Sequence, residues 1–156
     1  MATKKMAIIA SKGTLDMAYS PFILASTAAA LGYEVQMFFT FYGLLLLRKD
    51  LSDVKISPLG NPAMPMPIPM PVMMQMLPGM ESIATMMMKK KFKQKGVASL
   101  EELRDLCLEA DVKFIACQMT VDLFDFDKSD FIDAAEPGGA ATFLGFAGDA
   151  DICLYI

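Results

Sequence analysis

The sequence contains no histidine and no tryptophan among its 156 residues. The absence of histidine excludes Ser-His-Asp and Cys-His catalysis, and it removes the commonest metal ligand in proteins. Positive charge is also scarce, since 14 basic residues face 18 acidic ones and the net charge is −4. Proteins that bind nucleic acid usually carry a basic surface, so we expect no nucleic-acid partner.

Cysteine is rare, and the spacing of its three residues fits neither a metal site nor a disulfide framework. Unpaired thiols fit a reducing compartment, so we expect a cytoplasmic protein. The first residues lack a secretory signal pattern, because their apolar run extends only from Met6 to Ala10. The length suits one compact domain, and 54% of the residues are apolar, enough for a substantial core.

The stretch from Asn61 to Met80 alternates methionine with proline. It belongs to an uncharged run, Ile56 to Met80, that is long enough to cross a bilayer. That run contains seven prolines, which remove backbone donors and interrupt helices, so it is not a simple transmembrane helix. We therefore expect a soluble single domain over residues 1–156, with a Met/Pro-rich and Lys-rich insert at about 58–96.

Apolar runs alternate with helical patterns along the rest of the chain. The runs that predict strands are Lys5–Ser11, Tyr33–Thr40, Val54–Ser57, Val112–Cys117 and Asp151–Ile156. Helices are predicted from between Thr14 and Pro21 to Leu31, and at Tyr42–Lys49, Glu81–Lys95, Ser99–Ala110, Ser129–Ala135 and Gly138–Gly148. This alternation is typical of an α/β protein, and we predict a three-layer α/β/α sandwich with a mostly parallel sheet of about five strands.

Ligand sites in parallel sheets form at the carboxyl ends of the strands. Cys117 ends a predicted strand at that edge, and the polar residues Gln118 and Thr120 follow it. Cys107 lies on the apolar face of a helix and Cys153 in mid-strand, where cysteine behaves as a small buried hydrophobe. Cys117 is therefore the candidate reactive thiol. The segments expected to share its edge are Ser11–Leu15 and Thr40–Gly43.

A reactive cysteine acts as a thiolate, which requires a cation, a metal or the backbone N–H groups of a helix N-terminus. Candidates for this role are Lys12 and the backbone at Gly138 and Gly139. Ionisation would be opposed by the acidic residues that follow, if they lie close, which are Asp122, Asp125, Asp127 and Asp130. A persulfide ionises more easily than a thiol, so a sulfur carrier is favoured over a peroxidase.

Several segments together resemble a known family. The segment Ala116–Ile132 reads ACQMTVDLFDFDKSDFI and is followed by GGAATFLGFAGDADICLYI. The chain opens with KKMAIIASKGTLDMAYSPFILASTAAALGYEVQMFFTFYGLLLLRK. With the Met/Pro insert and the Lys-rich segment after it, this pattern resembles the DsrE/DsrF-like family, in the branch labelled peroxiredoxin-like. The resemblance covers nearly the whole chain.

The resemblance implies an α/β/α fold, assembly into oligomers, and a cysteine that carries persulfide sulfur in relays with TusA-like and rhodanese-like proteins. Cys117 matches that cysteine, and we expect no cofactor and no metal. The expected supporting residues are Lys12, Gln118, Thr120, Gly138 and Gly139. The chain lacks the Thr-x-x-Cys motif of peroxidases, so the peroxiredoxin label does not predict peroxidase activity.

Two other interpretations stay open. In the first, the protein is a binding or scaffold subunit whose Met-rich insert contacts other subunits, a partner or a membrane surface through residues 61–95. The plainer interpretation of the lysines in that stretch is a solvated helix end. In the second, Met64, Met66 and Met70 bind Cu(I) through their thioethers. Extended proline-rich backbone directs neighbouring side chains apart, which disfavours the copper site.

Overall fold

The computed structural model describes residues 2–57, 67–68 and 71–156. Five strands lie in these ranges: β1 (Lys5–Ala10), β2 (Glu34–Phe39), β3 (Lys113–Cys117), β4 (Ala135–Gly138) and β5 (Ile152–Tyr155). The α-helices are α1 (Leu15–Ala30), α2 (Val72–Gln75), α3 (Met80–Gln94), α4 (Leu100–Glu109), α5 (Gln118–Leu123) and α6 (Ala140–Ala147). Two 3₁₀ helices cover Phe41–Leu47 and Lys128–Asp130.

The strands form one sheet in the order β4-β3-β2-β1-β5, and every pair is parallel. The predicted α/β sandwich with about five strands is therefore confirmed. Parallel pairing brings the carboxyl ends of all the strands to one edge. Cys117, the last residue of β3, lies on that edge beside Gly138 in β4.

One of the five predicted strands was wrong. Val54–Ser57 has no strand structure, because helices take its backbone groups: the Lys55 carbonyl accepts from the N–H of Leu15, and the Ile56 N–H donates to Thr85 Oγ1 at 3.0 Å. The fifth strand is instead β4. It has no apolar run, since it lies at the sheet edge and contains Glu136 and Pro137, so periodicity alone could not identify it.

The helix predictions were also corrected near the site. The segment Ser129–Ala135 holds only the short 3₁₀ helix that ends at Asp130, and α5 was not predicted. The helix predicted at Tyr42–Lys49 is a 3₁₀ helix that begins one residue earlier, at Phe41, and ends two residues earlier, at Leu47. The predicted helix from Ser99 is present as α4, and it begins with a capping box in which Ser99 N–H donates to Glu102 Oε2 at 2.7 Å and Ser99 Oγ accepts from Glu102 N–H.

The two faces of the sheet are covered differently. On one face α1, α4 and the Phe41–Leu47 helix bury the larger core, in which Phe22, Phe39 and Phe114 contact one another. On the other face, within the described ranges, α6 packs over the sheet and Phe143 stacks on Phe38 at 5.1 Å. Because side chains alternate along β3, Cys117 belongs to the α6 face.

Arg104 anchors the Phe41–Leu47 helix. The side chain is buried on α4, and its Nη1 donates to the carbonyl oxygens of Leu46 at 3.0 Å and Arg48 at 2.6 Å. These carbonyls lie at the C-terminal end of the 3₁₀ helix, where acceptors lack partners in the helix. Burial lowers the pKa of Arg104, although Asp105 and Glu101 oppose that effect. The buried cation thus fixes one end of a helix whose other end meets the site.

Much of the Met/Pro insert falls outside the described residues, including Met64, Met66 and Met70, so the copper hypothesis concerns a segment on which the structure is silent. The described part contains α2 and α3, and α3 buries Ala84 and Thr85 against the domain. None of the helices described is both long and apolar enough to span a membrane.

Candidate functional site

Cys117 lies where β3 ends and α5 begins. It is the N-cap residue of α5, so the first backbone N–H groups of that helix point toward its side chain. The residue is 5% exposed and packs in the cluster on the α6 face with Phe38, Ile115 and Phe143. The thiol is thus nearly covered, yet it lies on the rim of the sheet.

Two threonine hydroxyls meet beside this cysteine. Thr120, in the first turns of α5, is fully buried, and its Oγ1 lies 3.2 Å from Oγ1 of Thr40, the residue after β2. The N–H of Phe41 also donates to Thr120 Oγ1 at 3.2 Å. If Thr40 donates to Thr120, the Thr120 proton is available to sulfur; in the reverse direction, the Thr40 proton is available.

The surroundings of Cys117 favour its thiolate. Burial alone would raise the pKa, but the hydroxyl and backbone N–H of Thr120, the hydroxyl of Thr40 and the N–H of Met119 together outweigh burial. The pKa of Cys117 is therefore lowered from the ordinary value of 9.0. The side chain accepts no capping hydrogen bond of standard geometry, so these donors surround the sulfur without being tightly bonded to it.

The other two cysteines lie apart from this environment. Cys107 is fully buried in α4, where its Sγ donates to the Phe22 carbonyl at 3.4 Å, and burial raises its pKa to about 12. It is an inert core residue, as its helical position predicts. Cys153 is exposed on β5, and two strands, β1 and β2, separate β5 from β3. The mid-strand prediction of a buried Cys153 was therefore wrong, because β5 is a sheet edge.

The expected supporting residues are distributed unevenly around the thiol. Thr120 lies beside it, and Gly138 is its register neighbour on β4, where a Cβ would come within 2.7 Å of the Ile115 side chain. Gly139 is the N-cap of α6. The Gln118 side chain instead donates to Asp122 at 2.7 Å.

Lys12 lines a separate cleft of about 530 Å³, together with Gly13, Tyr42 and Leu45. Neither Lys12 nor the backbone of Gly138 and Gly139 is among the groups that lower the pKa of Cys117. The helix that begins directly at the cysteine supplies the N–H groups instead. This helix, α5, was not predicted from the sequence.

Three of the four acidic residues that follow Cys117 form local hydrogen bonds. Asp122 is engaged by Gln118, while Asp127 and Asp130 cap the short 3₁₀ helix: Asp130 accepts from the Asp127 N–H, and Asp127 accepts from the Ser129 N–H. Across the described ranges, no cluster of three or more acidic or cysteine side chains could hold a metal ion.

Sequence reasoning did not name Thr40, Phe41 or Met119 as site residues. Thr40 and Phe41 belong to an edge segment that the sheet prediction had identified, so their position was available from the strand pattern. That the Thr40 hydroxyl reaches Thr120 was not, because the two residues are 80 positions apart. The Met119 contribution depends on α5.

Comparison with known proteins shows which family the chain resembles. Residues 2–155 match the family described as DsrE/DsrF/DrsH-like. The chain is 66% identical to the sulfur carrier protein DsrE2 of Allochromatium vinosum, with 100% of both chains covered. It is 30% identical to the uncharacterized protein YrkE of Bacillus subtilis, over 99% of this chain and 98% of that one.

A solved structure shares the fold. The ychN protein from E. coli superposes with a TM-score of 0.56 over 99% of this chain and 100% of its own, at 11% sequence identity. At that identity the similarity concerns the fold alone. The match over residues 2–155, together with the relative that is 66% identical, confirms the resemblance found in the sequence. The chain belongs to the DsrE/DsrF/DrsH-like family.

Proposed function

We propose that this protein is a sulfur carrier that holds sulfane sulfur as a persulfide on Cys117 and passes it to a partner thiol. The observation that carries the proposal is the lowered pKa of a cysteine at the carboxyl edge of the sheet, where α5, Thr120 and Thr40 favour the thiolate. The name of the relative from Allochromatium vinosum, a sulfur carrier protein, supports the same function.

The proposed transfer needs no redox cofactor. In loading, the Cys117 thiolate attacks the outer sulfur of a donor persulfide, a new S–S bond forms, and the donor leaves as a thiolate. In release, an acceptor thiolate attacks the outer sulfur on Cys117, and Cys117 leaves as a thiolate. Each step exchanges one S–S bond for another, so no net electrons are required.

The lowered pKa of Cys117 assists release in particular. Thiol exchange is faster when the leaving sulfur has a lower pKa, because it departs as a better-stabilised thiolate. Thr120 and Met119 stabilise this leaving group. A strongly stabilised thiolate is in turn a weaker nucleophile, which suits a reversible carrier better than a permanent sulfur acceptor.

Transfer requires the cover over Cys117 to move. The thiol is only 5% exposed, but Met119 and Gly139 on the rim are exposed, and the space where a Cβ of residue 139 would lie is open. A side-chain rearrangement of α5 and the start of α6 would open the path. We propose that such opening accompanies each exchange.

The expected partners are TusA-like or rhodanese-like sulfur-transfer proteins in the cytoplasm, as the family resemblance implies. A homo-oligomer is supported by β5, an edge strand that carries Ile152, exposed Cys153 and Tyr155. An exposed apolar edge strand offers unpaired backbone groups to another chain. Lys12, Gln118, Gly138 and Gly139 are proposed as supporting residues of the rim rather than as groups that activate the thiol.

Cys117→Ser is expected to abolish sulfur loading. After incubation with inorganic polysulfide and desalting, the wild-type protein should gain the mass of sulfur atoms, and peptide mass spectrometry should place them on Cys117. The exposed thiol of Cys153 makes Cys153→Ser the matched control, which should keep the loading on Cys117. Loading of Cys117→Ser to the wild-type extent would overturn the proposed function.

A second candidate function is suggested by α3. Opposite the buried residues Ala84 and Thr85, this helix exposes Ile83, Met86 and Met87, the last two by 64% and 67%, and five lysines follow within residues 89–95. An apolar helix face beside lysines is typical of helices that lie on anionic membrane surfaces. The same face could instead contact another protein subunit.

A flotation experiment distinguishes these uses of α3. If α3 binds membranes, the protein should float with vesicles containing anionic lipid, and Met86→Ser with Met87→Ser should reduce the floated fraction several-fold. Leu106 on α4 is also exposed, by 49%, so Leu106→Ser is the control and should float as wild type. Absence of wild-type protein from the vesicle fraction would eliminate the membrane version.

A further inference from the structure

Three aromatic side chains form an exposed patch beside the candidate thiol. Phe124 lies 6.2 Å from Phe41 in an edge-on arrangement and stacks on Tyr42 at 6.0 Å between ring centroids. The exposed fraction is 37% for Phe124, 44% for Phe41 and 61% for Tyr42. We name Phe41, Tyr42 and Phe124 the aromatic patch. Large aromatic side chains left in contact with water are uncommon outside binding surfaces.

The patch is connected directly to the residue that adjoins Cys117. The Phe41 N–H donates to Thr120 Oγ1 at 3.2 Å, and the Phe124 N–H donates to the Thr120 carbonyl at 3.1 Å. Thr120 in turn makes the largest contribution to stabilising the Cys117 thiolate. A protein bound on the aromatic patch would therefore place its own surface next to the thiol.

The chain around the patch is strongly acidic. Residues 118–136 contain six acidic residues and one lysine, a net charge of −5, which exceeds in magnitude the −4 of the whole chain. These acidic residues are Asp122, Asp125, Asp127, Asp130, Asp133 and Glu136. Within the described ranges the ion pair that forms is Lys55–Glu81, far from this segment in sequence, so these acidic side chains have no basic partner there.

We propose that the aromatic patch, with Asp122 and Asp125 beside it, is the docking surface for a protein that presents its exchanging thiol among lysine and arginine side chains. Opposite charge steers such a partner to this edge. Its cations can also lie over the rings of Tyr42 and Phe124, since cations are attracted to aromatic faces. This inference rests on the proposed sulfur-carrier function and names the partner chemistry of the same site.

A second copy of the chain is the competing occupant, because α3 ends in a lysine-rich segment. A copy seated there would cover the thiol that must exchange sulfur. The partner is therefore a separate protein that binds and leaves, and self-association through this surface is an outcome of the test.

The test measures sulfur transfer from the loaded protein to two synthetic peptides of equal length. Each contains one cysteine, flanked by lysines in one peptide and by glutamates in the other. The peptide thiolate attacks the outer sulfur on Cys117, the S–S bond breaks, and Cys117 leaves as a thiolate. The lysine peptide is expected to gain sulfur roughly tenfold faster at low salt, because opposite charge accelerates association.

The variants isolate the surface. Asp122→Asn with Asp125→Asn should remove most of the preference, and asparagine is chosen because it tolerates the left-handed φ of 53° at Asp125. Glu109→Gln with Asp149→Asn removes two exposed charges from the opposite sheet edge and should keep the preference. Tyr42→Ala should slow transfer to the lysine peptide about two- to fivefold if cation–π contacts contribute.

The outcomes separate the two hypotheses. If the wild-type protein does not load sulfur from polysulfide, the proposed function fails before docking is tested. If it loads sulfur but transfers it equally to both peptides, the docking inference fails and the carrier function stands. If sedimentation shows that Asp122→Asn with Asp125→Asn changes the oligomeric state, the surface is an interface between copies and the proposal is overturned.

Discussion

Replacing Thr120 by valine is expected to raise the pKa of Cys117 and to slow sulfur loading. Valine has nearly the same shape but lacks the hydroxyl that heads the groups favouring the thiolate. The thiolate absorbance should therefore appear at higher pH than in the wild type, whose midpoint lies below 9.0. The measurement is an ultraviolet pH titration in a Cys153→Ser background, from which the Cys117→Ser curve is subtracted.

The same substitution should also lower stability. It leaves the Phe41 N–H without its acceptor, and an unpaired buried donor costs about 1–2 kcal/mol. Thr120→Ser keeps the hydroxyl and is the matched control, so it should restore most of the pKa while losing only a methyl group. A Thr120→Val protein with the wild-type titration curve would show that the hydroxyl does not act on the sulfur.

The sign of the pH effect on folding follows from the lowered pKa. A group whose pKa is lower in the folded state stabilises the fold above its unfolded pKa, here 9.0, and this contribution is lost as the pH falls through the folded pKa. Below the folded pKa the thiol therefore contributes little. The stability difference between wild type and Thr120→Val should therefore be larger above pH 9 than below the folded pKa, because valine weakens the stabilisation of the thiolate.

Arg104→Met is expected to lower the free energy of unfolding by about 2–3 kcal/mol. The substitution leaves the Leu46 and Arg48 carbonyls without their Nη1 donor. Each buried acceptor left unpaired costs about 1–3 kcal/mol. Removing a cation whose burial opposes its charged form offsets part of that loss. Urea unfolding monitored by circular dichroism provides the measurement.

The control for Arg104 is Arg48→Gln, which removes an exposed arginine from the same loop and should change stability by less than about 0.5 kcal/mol. Because Arg104 holds the end of the Phe41–Leu47 helix, Arg104→Met should also shift the Cys117 titration toward the ordinary thiol pKa. Unchanged stability in Arg104→Met would mean that water or other donors satisfy those carbonyls.

Strands that appear as local apolar runs were predicted correctly from the sequence, whereas strand assignments that depend on the position in the sheet or on distant contacts were not. The strands β1, β2, β3 and β5 were predicted within one residue at each end, because each is an apolar run that is visible in the local sequence. The strand β4 was missed and Val54–Ser57 was assigned in its place. Val54–Ser57 was misassigned because its backbone groups bond to residues distant in sequence, such as Thr85 for the Ile56 N–H. The strand β4 was missed because an exposed edge strand containing Glu136 and Pro137 has no apolar run.

The sequence by itself determined that any catalytic group here must act without imidazole, and that the strand-end cysteine is Cys117. Only the tertiary structure decided what surrounds that thiol. Thr40 and Thr120 meet because parallel pairing of β2 with β3 brings their carboxyl ends together across 80 residues of chain.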